Sequence, residues 1–144
     1  MSFVQETLDQ FLSTYEWNTV NADPTVVVTQ FADTFIAAGP SGTMVVPATA
    51  FAEKLPARKQ LFRKAGLQSS RLVSRKDSRI GERYVLVDTE WRMDFAPEGK
   101  PALTIPVGSS LLIDMGGPEP KILAYLPHQD IFQLMRDSGL LPAS

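Results

Sequence analysis

The sequence predicts a single α+β domain spanning residues 1–144, with N-terminal helices packed on an antiparallel sheet. Three observations predict it. The first thirty residues carry helical apolar spacing and helix-capping residues, apolar and polar residues alternate from Leu67 onward, and Gly- and Pro-rich turns cut that alternating region into successive strands. A ferredoxin-like domain, the competing α+β arrangement, would set helices between strand pairs rather than group most strands late.

Val4, Leu8, Phe11, Leu12 and Tyr15 repeat with helical spacing behind Ser2 and Gln5, which have capping-box spacing, so a first helix is predicted to about Trp17. Asn21-Ala22-Asp23-Pro24 offers an Asp cap with Pro at the first helical position and predicts a short second helix through about Gln30. Phe31 to Ala38 reads as a strand, stopped by the turn Gly39-Pro40-Ser41-Gly42 and followed by a short extended Met44-Val45-Val46. A third helix is predicted over roughly 48–65, kinked or split by Pro56 because an interior proline loses a backbone donor. Strands are then predicted at about 68–79, 82–96, 101–115 and 121–127. Along the second of these Val85, Val87, Thr89, Trp91, Met93 and Phe95 share one face, and Asp88, Glu90, Arg92 and Asp94 share the other. Tyr84 and Leu86 interrupt the wet face, which predicts a partner surface there. Asp130 caps a last short helix that Gly139 stops.

A chain of this length can bury ~70% of the surface its unfolded form exposes, so no covalent staple is required. With 44% hydrophobic and 21% charged residues the composition is that of an ordinary globular protein. The absence of cysteine excludes disulfides, thiolate metal sites and cysteine nucleophiles. The first residues lack a basic start and a long apolar run, and no apolar stretch approaches ~20 residues, so a cytoplasmic protein without a membrane span is expected. The formal charge of −2 conceals a polarity. Residues 54–83 hold ten Lys and Arg against Asp77 and Glu82, a net of +8, while the remainder carries −10.

The order of a helix with Tyr15, then Asn21-Ala22-Asp23, then Phe31-Ala32-Asp33-Thr34-Phe35, a helix, and a late meander holding Glu90-Trp91-Arg92 and a Gly-Gly hairpin resembles the nuclear transport factor 2-like superfamily. The resemblance covers nearly the whole chain. It implies a cone-shaped, cystatin-like roll in which a strongly curved sheet encloses a pocket, usually as a homodimer, and it speaks to fold because the superfamily contains isomerases, cyclases, dehydratases, hydrolases and binding domains alike. Its ketosteroid isomerases need a carboxylate base, a tyrosine and a protonated aspartic acid. Tyr15 matches the tyrosine, whereas Gly39 and Gly108 fall where the two acids belong, so isomerase chemistry is not expected.

Tyr15, Trp17, Phe35, Phe51, Phe62, Thr89, Trp91, Met93, Ser109, Leu111 and Tyr125 are the expected lining of a pocket with few polar groups. His128, the single histidine, and Asp33 are the catalytic candidates beside Tyr15. His128 could act as a base near neutrality, and Asp33 as a buried acid or as a polar bond at the helix-to-strand junction. The row Asp88, Glu90, Arg92, Asp94 reads as a solvated charge ladder. The basic segment 54–83 reads as a solvated face or a surface for an acidic partner; it has few aromatics for nucleic-acid stacking. No Gly-x-Ser-x-Gly elbow, P-loop or Gly-x-Gly-x-x-Gly fingerprint appears, and no helical spacing gathers metal ligands, so neither cofactor nor metal is expected. Three functions follow: a small-molecule-binding domain for an apolar or carbonyl-bearing ligand, an enzyme of the same fold (dehydratase, cyclase or hydrolase) using Asp33 or His128 with Tyr15, and a dimeric protein-interaction module.

Overall fold

The computed structural model describes residues 4–142. Helix α1 (Gln5–Asn21) leads into a short α2 (Pro24–Val27), which tightens into a 3-10 turn over Val28–Gln30. Strands β1 (Phe31–Gly39) and β2 (Gly42–Pro47) form a hairpin, followed by α3 (Ala48–Lys64). The meander β3 (Leu67–Ile80), β4 (Tyr84–Phe95), β5 (Leu103–Asp114) and β6 (Lys121–Pro127) precedes a terminal α4 (Ile131–Asp137).

The strand order is β2-β1-β6-β5-β4-β3. All neighbours are antiparallel except β1 and β6, so the sheet is mixed rather than wholly antiparallel as expected. The reason is topological. Helix α3 carries the chain from the β2 edge to the far edge, and the fourth strand of the returning meander reaches β1 running in its direction. The sheet is also open, with β2 and β3 as edges, and is not strongly curled. No pairing of β2 with β3 exists to force closure into the expected roll.

Helix α1 buries Leu8, Phe11, Leu12, Tyr15 and Asn18, the stripe that the sequence spacing predicts. It continues a turn beyond Trp17 because Asn18 extends the buried face and the Asn21 amide donates to the Trp17 carbonyl. The residue before α1, Val4, gives no side-chain cap, and Ser2 of the expected capping box lies outside the described residues. Polar groups fasten α1 to β3: Glu16 accepts from the Leu72 amide at 2.7 Å, and Arg75 bridges Asp9 and Asp77. That amide lies beside a register shift between Leu72 and Ser74, which the carboxylate of Glu16 helps to satisfy.

Asp23 caps α2 by accepting from the Thr25 and Val26 amides. Helix α3 runs unbroken through Pro56, so the expected split does not occur. One proline removes a single hydrogen bond, and apolar contacts on both sides, Phe51 before it and Phe62 after it, anchor the helix in the two clusters. In β4 the residues Val85, Val87, Thr89, Trp91, Met93 and Phe95 are buried and their alternates point outward, as predicted. Two apolar clusters result: one joins α1 to β1 and the sheet centre, and the other joins the end of α3 to α4, with Phe95 and Met135 fully enclosed. Each fully buried apolar side chain contributes about 1.5–3 kcal/mol. No described helix is long and apolar enough to cross a membrane.

Candidate functional site

Between the two clusters lies a cleft of about 300 Å³, bounded by the C-terminal half of α1, by α2, by the inner face of α3 and by β3 to β6. Phe51, Leu55, Arg58 and Phe62 stand at i, i+4, i+7 and i+11 on α3 and so face it together. From the sheet come Trp91, Met93, Val107, Ser109 and Tyr125, and from α1 come Tyr15 and Asn18.

Of the residues expected to line a pocket, Tyr15, Phe51, Phe62, Trp91, Met93, Ser109 and Tyr125 are brought to this cleft. The other four are elsewhere. Trp17 is 60% exposed, because it falls off the buried stripe of α1, while Phe35, Thr89 and Leu111 are sealed in the core beneath. Thr89 is a buried polar knot: it accepts from the Trp91 indole at 2.9 Å and reaches the Ser109 carbonyl at 2.8 Å. The indole N–H is therefore satisfied inside the protein.

Tyr15 is almost completely buried, edge-on to Trp91 at 6.0 Å between ring centroids. Burial pushes its phenol far above the ordinary tyrosine range, and Tyr125 adds to the shift while Arg58 opposes it. Tyr15 is thus a hydroxyl donor, never a base, at physiological pH. The Arg58 guanidinium lies 5.2 Å from the Phe62 ring centre and 5.1 Å from that of Phe132, against two stacked rings. Among the described residues it has no carboxylate partner and no hydrogen-bond acceptor. Lys59 also lines the cleft and donates to the Ala22 carbonyl, and Arg63 stands at the margin. Among the described residues no Asp or Glu lines the cleft.

The acid and histidine candidates are not gathered with Tyr15. Asp33 is exposed on β1, and His128 is exposed after β6. Neither lines the cleft. Instead His128 belongs to a chain on the outer sheet face: its Nε2 lies 2.8 Å from Ser110 Oγ, which lies 2.6 Å from Asp88 Oδ1. The serine has one proton, and an ionised Asp88 takes it, so His128 Nε2 must donate to Ser110. That order orients the serine away from the histidine and is the reverse of nucleophile activation.

At the two glycines compared with the isomerase acids, an added side chain would meet neighbouring groups. A Cβ at Gly108 would meet His128 Nδ1 at 2.6 Å, so the position faces outward; the inward neighbours on β5 are Val107 and Ser109. A Cβ at Gly39 would meet the Pro127 ring at 3.1 Å. Among the described residues no cluster of three His, Cys, Asp or Glu could hold a metal ion.

The sequence reading missed Arg58, which it absorbed into a charge run. Its seven-residue spacing from Phe51 and four-residue spacing to Phe62 was the available signal. The same run is divided in three dimensions: Arg71, Arg75 and Arg83 pair with Asp94, Asp9 and Asp77, and Asp114, whereas Arg58, Lys59 and Arg63 turn toward the cleft.

Helices grouped on one face of a six-stranded mixed sheet, with a cleft between them, define the nuclear transport factor 2-like, cystatin-like fold, and this chain has it. Solved structures agree at low identity. The beta subunit of benzoate 1,2-dioxygenase from Burkholderia mallei is 13% identical over 93% of this chain and 95% of its own, with a TM-score of 0.72. An NTF2-like protein with a cystatin-like fold from Novosphingobium aromaticivorans is 9% identical over 86% and 80%, with a TM-score of 0.70. A ketosteroid isomerase-like protein from Erwinia carotovora atroseptica is 10% identical over 85% and 93%, with a TM-score of 0.67. No family model and no curated protein sequence matches this chain.

Proposed function

We propose that the domain binds a small apolar or carbonyl-bearing molecule in the cleft and does not transform it by proton transfer. The carrying observation is the lining itself: aromatic and aliphatic walls, the Tyr15 hydroxyl as donor, and no carboxylate or histidine. A volume near 300 Å³ stands at the small end of known ligand sites, which run from ~300 Å³ upward. A donor that meets ground state and transition state alike strengthens binding without accelerating a reaction. The enzyme reading with Asp33 or His128 is disfavoured because neither group reaches the cleft. Assembly as a homodimer through the outer sheet face belongs to the same proposal, supported by Tyr84, Leu86, Leu112 and Leu126, which join neither apolar cluster.

The test uses Trp91 as reporter. In a Trp17→Phe background, 2-acetylnaphthalene titrated into the protein is expected to change Trp91 emission saturably. A linear, non-saturating response overturns the binding reading. Incubation with a 3-keto-Δ5-steroid is expected to yield conjugated enone only at the uncatalysed rate, and enzyme-level isomerisation would refute the absence of turnover.

A further inference from the structure

The geometry points to a more specific ligand class: a small apolar carboxylate, its apolar body against the cleft aromatics and its carboxylate held by Arg58. This rests on the cleft being a ligand site, and it adds a charge to the ligand. The argument begins with what Arg58 lacks. A half-buried guanidinium is ordinarily met by a carboxylate or by carbonyl oxygens, because taking its five donors out of water is costly. Here no described residue supplies an acceptor, although elsewhere in the protein Arg71, Arg75 and Arg83 each have an aspartate.

What Arg58 does have is an aromatic anchor. The rings of Phe62 and Phe132 lie within cation–π distance, a contact that holds the guanidinium beside the cleft without using its N–H donors. A planar fork held in this way matches the two oxygens of a carboxylate. The electrostatics of the surroundings agree in sign, since Lys59 and Arg63 line the same cleft and no acid does. Tyr15 remains protonated because of its burial and supplies a neutral donor deeper in the cleft. An amine-bearing ligand would meet only like charge.

The experiment compares 2-naphthoate with its uncharged isostere 2-naphthamide by calorimetric titration at low salt. The proteins are the unmodified chain, Arg58→Met, which keeps the stem against the two rings, and Arg58→Lys, which keeps charge but not the fork. A charge-assisted pair in a partly dry site predicts a preference for the acid of about tenfold or more in the unmodified protein. Arg58→Met is expected to abolish that preference by weakening the acid far more than the amide, whose carbonyl loses only an uncharged acceptor's hydrogen bond, and Arg58→Lys to retain only part of it. Equal binding of acid and amide by the unmodified protein overturns the carboxylate inference and leaves the apolar-ligand reading standing. Failure of both probes to bind the unmodified protein overturns both. A preference that survives in Arg58→Met removes Arg58 from the role.

Discussion

Thr89 illustrates how one residue can serve the cleft without entering it. It is completely buried, and its hydroxyl links the Trp91 indole to β5 through Ser109. The near-isosteric Thr89→Val keeps the volume and orphans the indole donor, so a loss of about 1–3 kcal/mol is expected in denaturant unfolding with an unchanged slope. Asp94 works on the opposite face. Arg71 first, then Ser69 and Thr104, hold its carboxyl well below the usual carboxylate range. A carboxylate whose pKa is depressed on folding stabilises above its unfolded value and loses that contribution as the pH falls toward the folded one. The stability gap between the unmodified protein and Asp94→Asn should therefore be constant at neutral pH and should shrink below about pH 4 in acid unfolding. A gap that stays constant through the acid range would exclude the proposed coupling.

At the scale of elements, the junction of α3 with β3 rests on Gly66. Its φ of +88° belongs to the left-handed region, its carbonyl accepts from the Ala96 amide, and a Cβ there would meet Ala96 and Pro97 backbone atoms at 2.6–2.8 Å. Backbone cannot swing aside as a side-chain tip can. Gly66→Ala is expected to cost more than ~2 kcal/mol, whereas Gly81→Ala, at a φ of +65° with nothing within 4 Å, should cost only about 1 kcal/mol of backbone strain. Comparable melting temperatures for the two variants would refute the close-approach argument. The elements themselves were largely legible in the sequence. Period two in β4 and the Asp23 and Asp130 caps are local signals, and the structure agrees with them at each position. What was not legible depends on register or topology. The Asp88–Ser110–His128 chain exists because β4 and β5 set Asp88 opposite Ser110 and β6 brings His128 beside them, and the parallel β1–β6 pairing exists because α3 crosses to the far edge. Neither leaves a mark on a short window of sequence. Arg58 shows the intermediate case, since its helical spacing was visible but its missing partner was not.

For the whole molecule, the sheet has unequal faces. The helices cover the inner face, where both apolar clusters lie, while the outer face carries Tyr84, Leu86, Leu112 and Leu126 among Asp88, Glu90, Arg92 and Asp94. Leu86 stands opposite Leu112, and Leu126 opposite Ser110, so the apolar groups adjoin one another across three strands. A two-fold contact places the same patch on both sides, and a row that holds acids and Arg92 together can meet its own opposite charges under that symmetry. Covering apolar surface would then add to the charge pairing, and the patch would no longer face water. The expected mass by light scattering at micromolar concentration is twice the 15.9 kDa of the chain. Leu86→Glu should return it to a single chain without changing the circular dichroism spectrum, because Leu86 joins neither core. A mass of 15.9 kDa for the unmodified protein would reject the dimer, and a dimeric Leu86→Glu variant would move the interface off this face.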